Sequence, residues 1–405
     1  MIMKISIRNI ASLLIIFIPV LPEYFRLAGQ PVYQYMAILL LVLIVNKRRI
    51  SKEDRQMILK MIFPTTVLYF LPRILHGDIM PVISSAIVPI SLLLSVFLYL
   101  KNEEDIRYIL NAFIKVGICM CLFALVEYVF HYNVFSIMET VDLGAIGTNV
   151  SFRDGSVRVE CSFGTAIACG IYMCAINILC LFRITEDEKN KTWYWIGYFL
   201  SAIVLYLTQS RMPLLTFILV NAIYAVRFKR TTKVFILTLL SLVFVLDCLT
   251  SRVIFDLIME YADLIKAILT KNTSVLDASS AFRTMLGEAL APIIFQHPLA
   301  GHGQLFMDNF TFKVWGYHFI SVDNNYLGIL LQYGIIGLAA QMFPFIYSMI
   351  LMIRMKLKGV CFPIFLTFLA YFINLMSVSQ MSESRFMYML VPIVLCKYLN
   401  VVNRE

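Results

Sequence analysis

The chain has 405 residues, of which 60% are hydrophobic and 15% charged, and its mean hydropathy is +0.82. These values lie outside the range of soluble globular proteins, because no soluble fold can bury so much apolar surface. The net charge of +9 needs no nucleic acid as an explanation, since basic residues concentrate in the cytoplasmic loops of membrane proteins. The composition therefore predicts an integral membrane protein.

Apolar runs of roughly the length that crosses a bilayer, about 20 helical residues, recur along the whole chain. Because they are continuous and lack the alternation of a membrane barrel strand, we expect them to be helices. The sequence predicts an all-α, polytopic membrane protein, a single membrane domain over residues 1–405 with about 12 transmembrane helices. The predicted spans are 9–24, 31–46, 58–75, 81–100, 109–131, 161–182, 193–208, 212–227, 234–249, 325–353, 360–378 and 385–401.

Lys and Arg residues indicate the orientation, because cytoplasmic loops carry an excess of them. On this count of helices, the most basic stretches fall on alternate turns and therefore share one side of the membrane. Both termini are predicted to be cytoplasmic, and the largest loop, about 250–322 between the ninth and tenth helices, is predicted to be external. The basic stretches are 46–55, 101–107, 183–191, 227–233 and 354–358.

The basic residues on the predicted external side are mostly arginines. A guanidinium forms forked hydrogen bonds to phosphate or carboxylate, which a lysine supplies poorly, so the bias suggests an anionic ligand. The alternative is that these arginines are interface anchors that pair with nearby acids. The candidates are Arg153, Arg158, Arg211, which follows Ser210 on a very short external turn, Arg283 in the large loop, and Arg385 at the start of the last helix.

The large loop carries further polar candidates. A helix is predicted to begin at Ser280, and His302 lies between two glycines in the tight turn of PLAGHG. Asp323, Asn324 and Asn325 are predicted to cap the helix that returns into the membrane. The dipole at the start of that helix would favour an anion.

The histidines are candidates for proton transfer. All five lie on the predicted external side, and three of them, His297, His302 and His318, lie in the large loop. A neutral imidazole can act as a general base at external pH. The spacing of these residues matches no metal-binding motif, so no metal site is predicted.

Three motifs occur in order along the second half of the chain. They are SRMPL at an outer helix turn (210–214), FR…GEAL…HPLAGHG in the large loop (282–303) and DNNYLGILLQYGIIGL entering the tenth helix (323–338). Together with the topology, they resemble the O-antigen ligase and polymerase superfamily, specifically the Wzy-type polymerases.

The resemblance implies roles for individual residues. Arg211 and Arg283 match family arginines that hold the lipid pyrophosphate, and Arg153 with Gly164 fits an R-x10-G pattern of some polymerases. In the ligase branch, a histidine that serves as the base precedes the Asn of NxYL, whereas this chain has Asp323 there. This departure favours a polymerase over a ligase.

The implied reaction joins two polyprenyl-diphosphate-linked oligosaccharides at the outer face of the bacterial inner membrane, without a nucleotide, metal or other cofactor. A hydroxyl of one repeat unit attacks the anomeric carbon of the other chain, and polyprenyl diphosphate leaves. Asp323, His302 and His318 are the candidate bases. Asp323 is the weakest of these, because the start of a helix lowers the proton affinity of a carboxylate. The implied partners are the lipid bilayer, a chain-length regulator and a flippase.

The sequence leaves two other functions open. A ligase would transfer the glycan to another acceptor, and a flippase or transporter would only move the lipid-linked oligosaccharide. Transporters tend to place ionisable residues near the bilayer midplane and to have two related halves. Here charges within helices are few, apart from Lys115 and Glu127, and the halves do not resemble each other.

Overall fold

The computed structural model describes most of the chain, and its described residues are 7–46, 50–77, 79–141, 151–153, 156–186, 191–226, 259, 266, 278–314, 317–319, 322–378 and 384–402. The helices are α1 (Ile7–Phe17), α2 (Val32–Val45), α3 (Lys52–Met57), α4 (Phe63–Leu75), α5 (Ile79–Tyr99), α6 (Glu103–Phe130), α7 (Ala166–Glu186), α8 (Lys191–Leu207), α9 (Arg211–Ala225), α10 (Ala278–Ile294), α11 (Gln304–Asp308), α12 (Asn325–Arg354), α13 (Cys361–Asn374) and α14 (Ser384–Val402). Three two-stranded hairpins lie between them, β1 (Arg26–Leu27) with β2 (Gln30–Pro31), β3 (Ser151–Arg153) with β4 (Ser156–Arg158), and β5 (Phe312–Val314) with β6 (Tyr317–Phe319).

The all-α prediction is confirmed. Every predicted span lies on helical structure except 234–249, which lies outside the described residues. Within the described ranges, five helical stretches are long and apolar enough to cross a membrane, and the count of about 12 spans stays a prediction. The five are Lys52–Leu75, in which a π-helical stretch joins α3 to α4, then Glu103–Phe130, Ala166–Glu186, Asn325–Arg354 and Ser384–Val402.

Side-chain caps fix where several helices begin. Ser51 and Asp54 form a reciprocal capping box at the start of α3, and the Asn102 side chain accepts a hydrogen bond from the Asp105 N–H at the start of α6. Such caps satisfy backbone N–H groups that have no partner within the helix. Of the three residues predicted to cap α12, Asn324 is the one that does so, by accepting from the Leu327 N–H at 3.1 Å.

The core of the bundle is α7, which is buried along almost its whole length. It packs against α6, α8, α9 and α13. Glycines allow this closeness, since a Cβ atom on Gly117 of α6 would lie 2.7 Å from Ile176 and one on Gly197 of α8 would lie 2.9 Å from Cys180. A core built in this way holds α8 and α9, and therefore the turn that carries Ser210, in a fixed place.

A buried polar network also joins α7, α8 and α9. Asn177 donates to the carbonyl of Tyr198 at 3.0 Å, the Tyr198 hydroxyl donates to Asn221 at 3.0 Å, and Asn221 donates back to Asn177 at 3.3 Å. Each hydrogen bond of this kind between membrane helices contributes on the order of 1 kcal/mol. The network fixes the rotation of α9, whose first residue is Arg211.

Helix ends that are predicted to share a side of the membrane are in contact. Arg8 at the start of α1 pairs with Asp105, and Lys397 near the end of α14 pairs with Glu103 at the start of α6. At the opposite ends, Arg385 of α14 donates to the carbonyl of Leu21, beyond α1. The contacts agree with the predicted alternation, while the assignment of one side to the cytoplasm stays a prediction.

The described part of the predicted external loop has a small apolar core of its own. It combines residues of α10, the segment after α11, the segment before α12 and α12 itself. These residues are Leu286, Leu290, Phe310, Val322 and Leu331. The loop is therefore packed on the first half of α12.

Candidate functional site

The helix α12 is broken at Gly334, whose φ of 63° and ψ of −162° are not helical. In an unbroken helix, the N–H groups of Ile335 and Ile336 would donate to the carbonyls of Leu331 and Gln332. The break leaves these four backbone groups in need of other partners, which matters inside a bundle where water is scarce.

The segment 298–303, hereafter the inserted segment, lies in the predicted external loop and supplies all four partners. It fills the break by reciprocal backbone hydrogen bonds, two in each direction. The bonds are His302 N–H to Leu331 O (2.9 Å), Gly303 N–H to Gln332 O (2.8 Å), Ile335 N–H to Pro298 O (2.9 Å) and Ile336 N–H to Leu299 O (3.1 Å). The inserted segment thus takes the place of two hydrogen bonds of the helix itself.

Glycines make this contact of two main chains possible. A Cβ atom on Gly334 would lie 2.4 Å from the carbonyl carbon of Leu299, and one on Gly301 would lie 2.5 Å from that of Gln332. Both glycines have positive φ, a conformation that other residues rarely adopt. The sequence pattern of PLAGHG indicated only a tight turn, whereas the structure shows that its backbone docks on QYG of α12.

His302 is held in place by the backbone hydrogen bonds of the inserted segment and by the contacts of its imidazole ring. Its Nε2 lies 3.0 Å from the carbonyl oxygen of Ile293 on α10, and its ring stacks on Phe306 with a centroid distance of 4.3 Å. Because a carbonyl only accepts, Nε2 donates this hydrogen bond, and the contact leaves Nδ1 unused. The half-buried imidazole is therefore oriented with Nδ1 as the nitrogen that can take up a proton.

The other two candidate bases differ from His302. Asp323 is exposed just before the capped start of α12, and Asn325 beside it is buried and donates to Gln341 at 3.4 Å. The backbone of His318 lies in β6 opposite Lys313 of β5, and its side chain is outside the described part of the structure. The structure thus describes the side chains of His302 and Asp323, whereas for His318 it describes the backbone.

Arg158 lies against the turn that carries Arg211. Its Nε donates to the carbonyl of Thr208 and its Nη2 donates to the hydroxyl of Ser210, both at 3.2 Å. Ser210 is the residue before α9, and Arg211 is the first residue of that helix. The hairpin of β3 and β4 and the turn between α8 and α9 therefore bring two of the predicted arginines to one place.

The remaining predicted arginines are placed separately. Arg153 ends β3 and Arg283 lies on α10, and for both the structure describes the backbone alone. Arg385 is buried, donates to the carbonyl of Leu21 at 2.7 Å and has its guanidinium carbon 4.0 Å from the ring centroid of Tyr33. These contacts tie α14 to the neighbouring helices, and a role of Arg385 in binding substrate stays a prediction.

Two carboxylates close to Arg158 were not among the sequence-based candidates. Glu127, near the end of α6, accepts hydrogen bonds from the backbone N–H groups of Glu160 at 3.1 Å and Cys161 at 2.8 Å. Burial raises the pKa of Glu160 to about 7, and Glu127 adds to the rise, while a hydrogen bond from the Ser151 hydroxyl and the charge of Arg158 oppose it. One signal in the sequence pointed to these carboxylates. Glu127 is an acid inside a predicted apolar span, where it requires a polar partner.

No group of three or more His, Cys, Asp or Glu side chains that could hold a metal ion occurs among the residues described. The donors that the structure brings to the predicted external side are instead guanidinium, imidazole and backbone groups. This set suits an anionic ligand and a proton transfer.

Residues 196–342 match a family model described as O-antigen ligase. The matched range runs from α8 to the second half of α12 and includes Arg211, Arg283, the inserted segment and Asp323. No curated protein matches the chain. The family covers both ligases and polymerases of this glycan. The match supports the resemblance of this chain to the O-antigen ligase and polymerase superfamily.

Proposed function

We propose that the protein is a glycosyltransferase of the polymerase type, which joins polyprenyl-diphosphate-linked repeat units at the outer face of the bacterial inner membrane. The observation that carries the proposal is the inserted segment, which holds His302 in the break of α12 within the range that matches the family. Group transfer between two large substrates requires a base in a fixed position. The product would be a surface polysaccharide such as the O-antigen of lipopolysaccharide, carried on undecaprenyl diphosphate.

In the proposed reaction, a hydroxyl at the non-reducing end of one repeat unit attacks the anomeric carbon of the other chain. Nδ1 of His302 accepts the hydroxyl proton as the new C–O bond forms. The bond between the anomeric carbon and the diphosphate breaks, and polyprenyl diphosphate leaves with the electron pair. Asp323, just before the start of α12, orients the acceptor, and His318 is the second candidate for the base.

The leaving diphosphate needs cationic hydrogen-bond donors. Arg211 at the start of α9, Arg158 of β4, which contacts the turn before α9, and Arg283 on α10 are proposed to bind it, with Arg153 and Arg385 as further contacts. Forked guanidinium donors neutralise the charge that develops on the leaving oxygen, in the way that a metal ion does in other enzymes. The reaction therefore requires no nucleotide and no cofactor.

Asp323 favours a polymerase over a ligase, because the resembling ligases have a histidine base at that position. A ligase, which transfers the finished glycan to another acceptor, is the second candidate, because the matched family covers both activities. A flippase is the third candidate and would need no proton acceptor oriented as His302 is. A flippase and a chain-length regulator are instead proposed as partners of the polymerase.

Deletion of the gene in the native host, followed by sizing of the surface glycan on a gel, separates the three activities. A polymerase predicts a glycan that stops at a single repeat unit. Complete polymer without its acceptor would indicate a ligase, and precursor trapped on the cytoplasmic leaflet would indicate a flippase. Restoration of the full ladder by the wild-type gene, and its failure with His302→Ala at equal protein level, would tie the phenotype to this site.

A further inference from the structure

The outer end of α4 contacts the inserted segment, although none of its residues is part of the proposed chemistry. His76 follows the last residue of α4, and its Nε2 donates to the carbonyl of Ala300 at 2.9 Å. A Cβ atom on Gly303 would lie 2.9 Å from Cγ of the same imidazole. The ring of His76 thus packs against the inserted segment on both sides of His302.

One turn earlier on α4, Arg73 contacts α12 next to its break. Its guanidinium carbon lies 3.9 Å from the ring centroid of Tyr69 and 3.8 Å from that of Tyr333, the residue before Gly334. Its Nη1 donates to the carbonyl of Tyr69 at 2.7 Å, and the side chain is buried. A guanidinium between two aromatic faces is a strong contact when water is excluded.

In the part of the chain that the structure describes, no carboxylate lies within ion-pair distance of Arg73. A buried cation is costly unless its neighbours compensate for lost water, and here the two tyrosine rings do so. The position of Tyr333 is therefore coupled to α4 by the need of Arg73 for its second ring.

We propose that Arg73 and His76 form a clamp in which α4 fixes both halves of the docked structure, Tyr333 on α12 and Ala300 in the inserted segment. His76 and Arg73 are positioning residues for His302, and this role rests on the proposed function. The backbone hydrogen bonds join the inserted segment to α12, and the clamp prevents the pair from shifting relative to the membrane bundle. A shift of about 1 Å at a reacting group lowers a rate by about 100-fold.

Hydrogen exchange in purified protein without substrate tests the clamp directly. Peptides that cover 298–303 and 333–337 are expected to exchange at least about ten times faster in His76→Ala and in Arg73→Ala than in the wild type, because the docked amides open more often. Peptides from α7 are expected to keep their wild-type rates. His131→Ala is the matched control, since His131 also follows a long apolar helix at its predicted outer end.

Kinetics with synthetic lipid-diphosphate repeat units provides the second readout. His76→Ala and His76→Phe are expected to lower kcat at least tenfold with KM unchanged, while His76→Gln, whose amide can donate to Ala300, is expected to restore most of it. His76→Phe keeps the ring volume, so it remains informative if His76→Ala fails to fold. Wild-type exchange in the docked peptides together with unchanged kcat in His76→Phe would overturn the clamp.

The two readouts separate the clamp from the proposed function. Faster exchange in the variants, with no polymer formed even by the wild type, would leave the clamp and refute the polymerase. Polymer formed by the wild type and by every clamp variant at the same kcat, with wild-type exchange in the docked peptides, would leave the polymerase and refute the clamp.

Discussion

The backbone N–H of His302 donates to the carbonyl of Leu331 at 2.9 Å. In a regular helix, that carbonyl would accept from the N–H of Ile335, one turn later. A residue of the predicted external loop is thereby joined to the main chain of α12, a helix long and apolar enough to cross a membrane. Backbone groups at such a break require protein partners, and the inserted segment is that partner. The main-chain position of the proposed base is thus set by α12.

A side chain at Gly334 is predicted to prevent this docking. Gly334→Ala adds a Cβ atom 2.4 Å from the carbonyl carbon of Leu299 and imposes a positive φ on alanine. We expect a loss of about 2–4 kcal/mol of stability and at least tenfold lower transfer activity. Thermal unfolding in detergent and polymer formation in membranes measure the two effects.

Gly328→Ala is the matched control on the same helix. A Cβ atom there would meet nothing within 4 Å, and Gly328 has no positive φ. Alanine is the better helix former by about 1 kcal/mol, so we expect unchanged activity and equal or higher stability. Equal unfolding temperatures of the two variants would show that the break does not depend on glycine.

Arg211→Lys and Arg283→Lys are both predicted to impair polymerisation at normal protein levels. Lysine keeps the charge but loses the fork that binds two oxygens of a diphosphate, so we expect losses of about tenfold or more. The measurement is glycan length in a complemented deletion strain. Arg354→Lys at the predicted cytoplasmic end of α12 is the control, and long glycan in both external variants would reduce these arginines to interface anchors.

Glu160→Gln is predicted to change how stability depends on pH. Burial holds the pKa of Glu160 at about 7, above its ordinary value of 4.5, so the folded state retains a proton that the unfolded state has released. Stability therefore falls as pH rises from about 4.5 to about 7, by up to about 3 kcal/mol, and stays lower above that range. The glutamine variant avoids this loss.

Thermal unfolding of both proteins at pH 5 and pH 8 measures the difference. We expect the variant to gain on the wild type at pH 8 and to match it more closely at pH 5. An advantage that is larger at pH 5 would mean that Glu160 is ionised and stabilised in the fold, with Arg158 as the dominant neighbour.

The predicted topology is tested by labelling an exposed position of the external loop. Leu305 is 75% exposed on α11, and Leu305→Cys is expected to react with a membrane-impermeant thiol reagent in intact spheroplasts. Lys356→Cys, beyond the predicted cytoplasmic end of α12, is expected to react only after permeabilisation. The wild-type chain sets the background from its own cysteines, and the reverse pattern would invert the topology.

The helices could be predicted because a run of about 20 apolar residues has few alternatives in a bilayer. The break in α12 could not, since GILLQYGIIGLAA is mostly apolar with no helix-breaking proline, and the groups that fill the break come from PLAGHG in a separate segment of the chain. Local sequence also left three neighbours able to cap α12, and only the fold selects Asn324 over Asp323.

The contacts of the candidate arginines could not be predicted from the sequence either. Their side of the membrane followed from charge patterning, but their partners did not. The contact of Arg158 with Ser210 joins β4 to a turn that is 52 residues later in the chain. Arg385 was predicted from its place at the start of the last helix, on the predicted external side, and its contacts with the Leu21 carbonyl and Tyr33 depend on how α14 packs against α1 and α2.

The most direct test of the central claim is polymer formation by the purified protein in membranes, from synthetic lipid-diphosphate repeat units and with no added nucleotide. The wild type is predicted to build a ladder of products, His302→Ala to lose about 100-fold or more of the rate, and Asp323→Asn to retain part of it. His318→Ala, run alongside, identifies the second candidate base. Full activity in both histidine variants beside an inactive Asp323→Asn would make the carboxylate the base and contradict the account.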